Sequence, residues 1–201
     1  MFSLRTMTPT SRVRAGTITE IVGELSSGRT SLMTACLRDV TAAGGMAALV
    51  DADGAFDPGS AARAGVVLAH LLWVRCGGRR EAALAATDLL ARCPGWALVA
   101  LDAGETPPRV SLGAAFRLRQ AARRAGVALL LVGRRRVAGA GATLAVRTRR
   151  DALAWAGSRH APTRLAGMST RVQVLRNQGA SPSAVFGAPS GAMEEQQWWT
   201  A

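Results

Sequence analysis

Residues 23–30 read GELSSGRT, that is Gly23, Glu24, Leu25, Ser26, Ser27, Gly28, Arg29 and Thr30. Glycines at the first and sixth positions, then a cation and a hydroxyl, have the spacing of a loop whose backbone amides turn inward around an anion, backed by a helix N-terminus. The flanks agree. TITEIVG (Thr17–Gly23) alternates toward its glycine as a strand entering a loop does. Beyond the loop, Leu32, Met33, Cys36, Leu37 and Val40 share one helical face, and Gly44-Gly45 ends that helix. The departure is at the seventh position, where a phosphate-binding loop ordinarily has lysine. Lysine sets a compact charge between the terminal phosphates, whereas the planar fork of Arg29 is longer and does not sit in the same place.

Outward from this loop the chain alternates short apolar runs with helical patterns. MAALVDAD (Met46–Asp53) and LLWVRC (Leu71–Cys76) are predicted strands. The helix REAALAATDLLARC (Arg80–Cys93) precedes the strand WALVALD (Trp96–Asp102), and the helix LGAAFRLRQAARRAG (Leu112–Gly126) precedes VALLLVG (Val127–Gly133). Such alternation predicts an α/β fold, a mostly parallel sheet flanked by helices on both faces. From Thr143 the pattern changes to TLAVRTRR, RLAGMSTRVQVLRN and SAVFGA, which read as short strands of an antiparallel C-terminal extension. Residues 1–12 read as a flexible leader, 13–188 as the core domain and 189–201 as a protruding tail.

Composition narrows the classes. A chain of 201 residues, 49% hydrophobic and 19% charged, suits one globular domain. No apolar run exceeds the length of Val127–Val132, which is too short to span a bilayer, and MFSLRTMTPTSRVRAG lacks the continuous apolar core of a secretory signal. A cytoplasmic protein without a membrane partner is expected. Cys36, Cys76 and Cys93 are odd in number and scattered, which reads as three buried thiols in a reducing compartment and no metal site. His70 and His160 read as structural. The net charge of +12 is uneven: ten arginines face eight acids through residue 100, and fifteen face five beyond it. Every cation is arginine, which a GC-rich genome explains, but the second-half excess points to phosphate or an acidic protein as partner.

Asp102 closes an apolar strand, where the second carboxylate of a nucleotide site would hold magnesium through water while Thr30 binds the metal directly. Arg134, Arg135 and Arg136 follow the fifth strand and lead into a glycine-rich stretch. They read either as cations for the phosphates of single-stranded DNA or as a solvated charge run, and no aromatic residue is interleaved with them. Arg117, Arg119, Arg123 and Arg124 read as the outer side of a sheet-covering helix. In the tail EEQQWWT, Trp198 and Trp199 read as an anchor for a partner or as a fold-back onto the protein's own surface.

Four segments in order, ITEIVGELSSGRTSL (18–32), AALVDADGAFDP (47–58), WALVALD (96–102) and STRVQVLRNQGA (169–180), resemble the core of the bacterial RecA recombinase. The resemblance covers about residues 13–188 and is nearest to ImuA, a family of short RecA-like accessory proteins. ImuA proteins act in SOS-induced mutagenesis with ImuB, an inactive relative of Y-family polymerases, and an error-prone replicative-type polymerase. The resemblance implies a RecA-like phosphate-loop core with Gly23, Ser26, Ser27, Gly28, Arg29, Thr30 and Asp102 as the relict of an ATP and magnesium site. It places the catalytic glutamate on Asp53, one methylene shorter, and the phosphate-sensing glutamine near Gly133 and Arg134, where none stands. Two lysines that reach a neighbouring subunit's nucleotide fall on Arg176 and Gln178. The family's docking arm has no counterpart before the loop, and both of its DNA loops are shortened.

Four altered parts of one mechanism lead to the expectation of a non-catalytic scaffold for translesion synthesis. Such a scaffold would have no cofactor. It would bind ImuB and reach the polymerase indirectly, with RecA and single-stranded DNA as further candidate partners. The rival expectation is a DNA-stimulated ATPase in which Arg29 stands in for lysine and Asp53 serves as base, and a third is a basic DNA-binding module with a relict loop.

Overall fold

The computed structural model describes residues 13–158, 161–178 and 195–200. In chain order the elements are β1 (Ile18–Gly23), α1 (Arg29–Ala42), β2 (Ala47–Asp51), α2 (Pro58–Arg63), β3 (Leu71–Arg75), α3 (Arg80–Arg92), β4 (Leu98–Asp102), α4 (Leu112–Ala125), β5 (Ala128–Gly133), β6 (Leu144–Ser158), β7 (Ala161–Asn177) and β8 (Glu195–Thr200). They build one eight-stranded sheet in the order β3-β2-β4-β5-β1-β6-β7-β8. Strands β3 through β6 in that order are parallel, and β7 and β8 add antiparallel. The expected α/β architecture with a mostly parallel sheet and an antiparallel C-terminal extension is the one observed.

The parallel strands are apolar runs because both of their faces are covered. On one face Leu32, Met33, Cys36 and Leu37 of α1 and Ala61 of α2 pack on Ile21, Leu49, Ala100 and Leu130. On the other, Ala83 of α3 and Ala115, Leu118 and Ala122 of α4 pack on Ile18, Val50, Leu101 and Leu129. Residues of opposite parity along each strand therefore feed separate cores, as the two-residue side-chain repeat requires. The helix α2 has a local cause that the periodicity missed. Asp57 caps it by accepting from Gly59 N and Ser60 N at 3.2 and 2.9 Å, and Pro58 presets its first turn.

Three expectations are corrected. The C-terminal extension is not a set of short strands but a hairpin of 15- and 17-residue strands, of which β6 runs parallel to β1. Its bulges absorb the twist that such length accumulates. Within the tail read as protruding, residues 195–200 pair with β7, with Trp198 opposite Thr170 and Trp199 opposite Ser169. Cys93 is exposed just past α3, while Cys36 and Cys76 are buried, and burial pushes the Cys36 thiol up to about 12. Residues 1–12, His160, SAVFGA and 189–194 lie outside the described residues, as do the side chains of Trp198 and Trp199. Among the described residues no helix is long and apolar enough to cross a membrane.

Candidate functional site

The loop between β1 and α1 is shaped by close backbone approach. Gly28 has φ +88°, a left-handed conformation suited to glycine, and a Cβ there would overlap the Thr170 side chain of β7. A Cβ at Gly23 would overlap Ser27 Oγ and Thr148 Oγ1 of β6. Ser27 and Thr148 hydrogen-bond each other at 2.8 Å in a buried position. Both motif glycines are thus required by the packing of the β6–β7 hairpin against the loop, whether or not an anion is bound. Ser26 also adopts a positive φ, +57°, and is exposed along with Thr30. The first turn of α1 has no side-chain cap, which leaves its amides without that partner.

Arg29 is buried, 7% exposed, and turned back on its own loop. One guanidinium nitrogen donates to the Gly23 carbonyl at 2.6 Å, and the other forms an ion pair with Glu105, which follows β4. Asp53, the position matching the catalytic glutamate, forms an ion pair with Arg80 at the start of α3. Asp53 also accepts a long hydrogen bond, 3.4 Å, from the Glu105 amide. Arg80 in addition donates to the Thr106 carbonyl at 2.9 Å and to its hydroxyl at 2.8 Å, and Arg135 donates to the Pro107 carbonyl at 3.3 Å. Residues 103–107 are therefore strapped across the site by arginines from three separate elements.

Two buried aspartates end neighbouring strands and pair in register, Asp51 with Asp102. Asp51 accepts from the amides of Gly54, Ala55 and Phe56 at 2.8, 3.1 and 3.0 Å and from the Trp73 indole at 3.2 Å. It thereby fixes the turn that carries Asp53. Asp102 accepts from the Gly104 amide at 3.0 Å. Burial pushes the Asp102 carboxyl above its ordinary value, against the lowering by that amide and by Arg29, and Asp51 and Asp53 add to the rise.

The sign follows. A carboxyl whose pKa is higher folded than unfolded costs stability when ionised, and the cost fades as pH falls through the folded value toward the unfolded one. Asp102→Asn keeps the acceptor for Gly104 and removes the charge. It is expected to raise the melting temperature at about pH 8, with the difference shrinking toward about pH 4. Thermal melts of both proteins across that range measure it; a gain that grows on acidification contradicts the assignment.

The arginines after β5 divide. Arg134 pairs on the surface with Glu24 at 2.8 Å, a contact of small energetic weight. Arg136, read as a candidate DNA cation, is turned to an inward partner: it pairs at 2.8 Å with Glu20, which is 1% exposed in the middle of β1. The same carboxylate accepts from the amides of Val137 and Ala138, each at 2.6 Å. Arg176 stands on β7 opposite Ala145 with its Nε buried and without a hydrogen bond among the described residues, and the Gln178 amide donates to the Thr143 carbonyl at 2.7 Å. The Nδ1 of His70 lies 2.9 Å from the Thr41 carbonyl. The pattern reading missed Glu20, Arg80, Glu105, Thr148 and Thr170. Only Glu20 left a trace, as the one charge inside a buried strand.

Both charged groups that the motif aligns with a nucleotide site are paired within the protein. The cation that would meet the phosphates is neutralised by Glu105, and Asp53 is held by Arg80. Among the described residues no group of three or more histidine, cysteine, aspartate or glutamate side chains is placed to hold a metal ion.

A strand, a glycine loop and a helix beside a parallel sheet, with an aspartate at the end of β4, define a phosphate-loop α/β protein. The chain belongs to the RecA N-terminal domain family, whose model matches residues 3–114. It is 42% identical over 87 residues to Protein RecA of Caulobacter sp. strain K31, covering 43% of this chain and 24% of that protein. Protein RecA of Chlorobaculum parvum is 40% identical over 87 residues, covering 43% and 25%, and that of a Picosynechococcus strain 39% over the same length and shares. The chain thus spans about a quarter of the length of these curated relatives in the matched region.

Proposed function

We propose that the chain is a non-hydrolysing RecA-fold scaffold of the ImuA type, acting in SOS-induced translesion synthesis. ImuB is its principal partner, RecA a second, and the error-prone polymerase is reached through ImuB. The observation that carries the non-hydrolysing reading is the self-satisfied loop. Arg29 is engaged by the Gly23 carbonyl and Glu105, and Asp53 by Arg80, so both groups are committed to partners within the protein. The motif glycines do not oppose this reading, because Thr148 and Thr170 account for them. The likeness to RecA proteins supports a setting in DNA repair.

The purified protein is expected to turn over no ATP with magnesium, with or without single-stranded DNA, and to pull down ImuB. ATP turnover that disappears in Asp53→Ala overturns the scaffold reading. A DNA-stimulated ATPase is the second reading. It is favoured by the uncapped N-terminus of α1 and by Thr30 exposed beside it.

A further inference from the structure

The hairpin β6–β7 outruns the sheet that it extends. β6 pairs with β1 only from Leu144 to Thr148. From Arg149 to Ser158 its outer edge has no strand partner among the described residues, a run of about 30 Å at the usual rise per residue. Arg149 begins this edge, and Arg147, opposite Val22 of β1 just before it, shares its face. Arg150, next after Arg149, lies on the other, and Arg164 stands across from Ala156. All four are exposed, and none has an ion pair or side-chain hydrogen bond among the described residues. Farther out, Trp155 is 56% exposed directly opposite Leu165, 50% exposed, with Leu153 at 38% two residues away on the same face.

Edge protection explains part of this. Charges and bulges on an open strand keep it from pairing with another chain, and the hairpin is bulged between Arg150 and Ala152. That account argues against a docking peptide strand, and it leaves an exposed tryptophan–leucine pair without a reason. Free guanidinium groups on both sides of an edge, followed by one open indole, suit a polyanion that carries flat apolar faces.

We infer that the open edge of β6 binds single-stranded nucleic acid, its phosphates held between Arg147 and Arg149 on one side and Arg150 on the other, and a base stacked on Trp155. A duplex keeps its base faces stacked and offers none to the indole, so the single strand is the form that fits. This site is distinct from the loops after β4 and β5, where Arg135 and Arg136 are engaged by the protein itself. It does not rest on the state of the nucleotide loop.

The test is fluorescence anisotropy of a labelled oligothymidylate of about 20 nucleotides, titrated with the full chain at several salt concentrations. Replacing Arg147, Arg149 and Arg150 with glutamine is expected to weaken binding and to lower the salt slope by about two to three charges. Trp155→Ala is expected to weaken binding roughly tenfold at every salt concentration, and Trp155→Phe to recover most of it. These side chains are exposed, so melting temperatures serve as a folding control. Absence of binding at about 50 mM salt overturns the inference, as does binding indifferent to the hairpin substitutions. Competition by polyglutamate as effective as by DNA, with no effect of Trp155→Ala, assigns the edge to an acidic protein instead.

Discussion

Glu20→Ala is expected to destabilise the protein by about 3–5 kcal/mol, the range found when one member of a buried ion pair is removed. Glu20 is 1% exposed and takes the Arg136 guanidinium together with the amides of Val137 and Ala138. Alanine leaves two buried amides without an acceptor and a guanidinium without a counter-charge, and the small cavity adds to the loss. For a domain of this size the melting temperature falls by about 10 °C or more. Glu20→Gln keeps an acceptor for both amides and gives up the charge and the acceptor for Arg136 Nε, so its loss is expected to be smaller than that of alanine. Chemical denaturation of the pair of variants measures this. Equal stability of wild type and Glu20→Ala would mean that the turn after β5 is held by its neighbours and not by this carboxylate.

Glu105→Ala is expected to have little effect on stability and a large one on anion binding. Glu105 is 35% exposed, and solvent screens much of what its pair with Arg29 contributes. Its removal frees one edge of the guanidinium in a loop whose backbone geometry is already formed. Affinity for pyrophosphate or ATP, read by calorimetry, is expected to rise at least about tenfold over wild type, the effect of about 1.4 kcal/mol of released competition. Hydrolysis is not expected to appear, because Arg80 still holds Asp53. Arg29→Ala in the same background abolishes the gain. A Glu105→Ala protein that binds no better than wild type would show that the strap of residues 103–107, and not the carboxylate, closes the site.

Much of the architecture could be read along the chain. The α1 helix follows from the spacing of Leu32, Met33, Cys36 and Leu37, and β4 and β5 follow from unbroken apolar runs that only a doubly covered parallel sheet accommodates. The hairpin was harder. RTRRDALAWAG (147–157) combines arginines with the one aromatic residue that the charge reading looked for beside Arg134–Arg136. Its meaning depends on β6 running past the end of β1, a matter of strand lengths and register that the segment does not itself contain.

The site divides in the same way. Spacing alone determined that Gly23–Thr30 is a phosphate-type loop between strand and helix, because backbone conformation depends on adjacent residues. What Arg29 does with its charge was decided only by the tertiary structure. Its partner Glu105 lies 76 residues away and reaches it because β4 and β1 end on the same side of the sheet with only β5 between them. Glu20 and Arg136 meet across 116 residues through the parallel pairing of β1 and β5. Ion pairing acts through space, and side chains this far apart in the chain become neighbours only once the strand order is set.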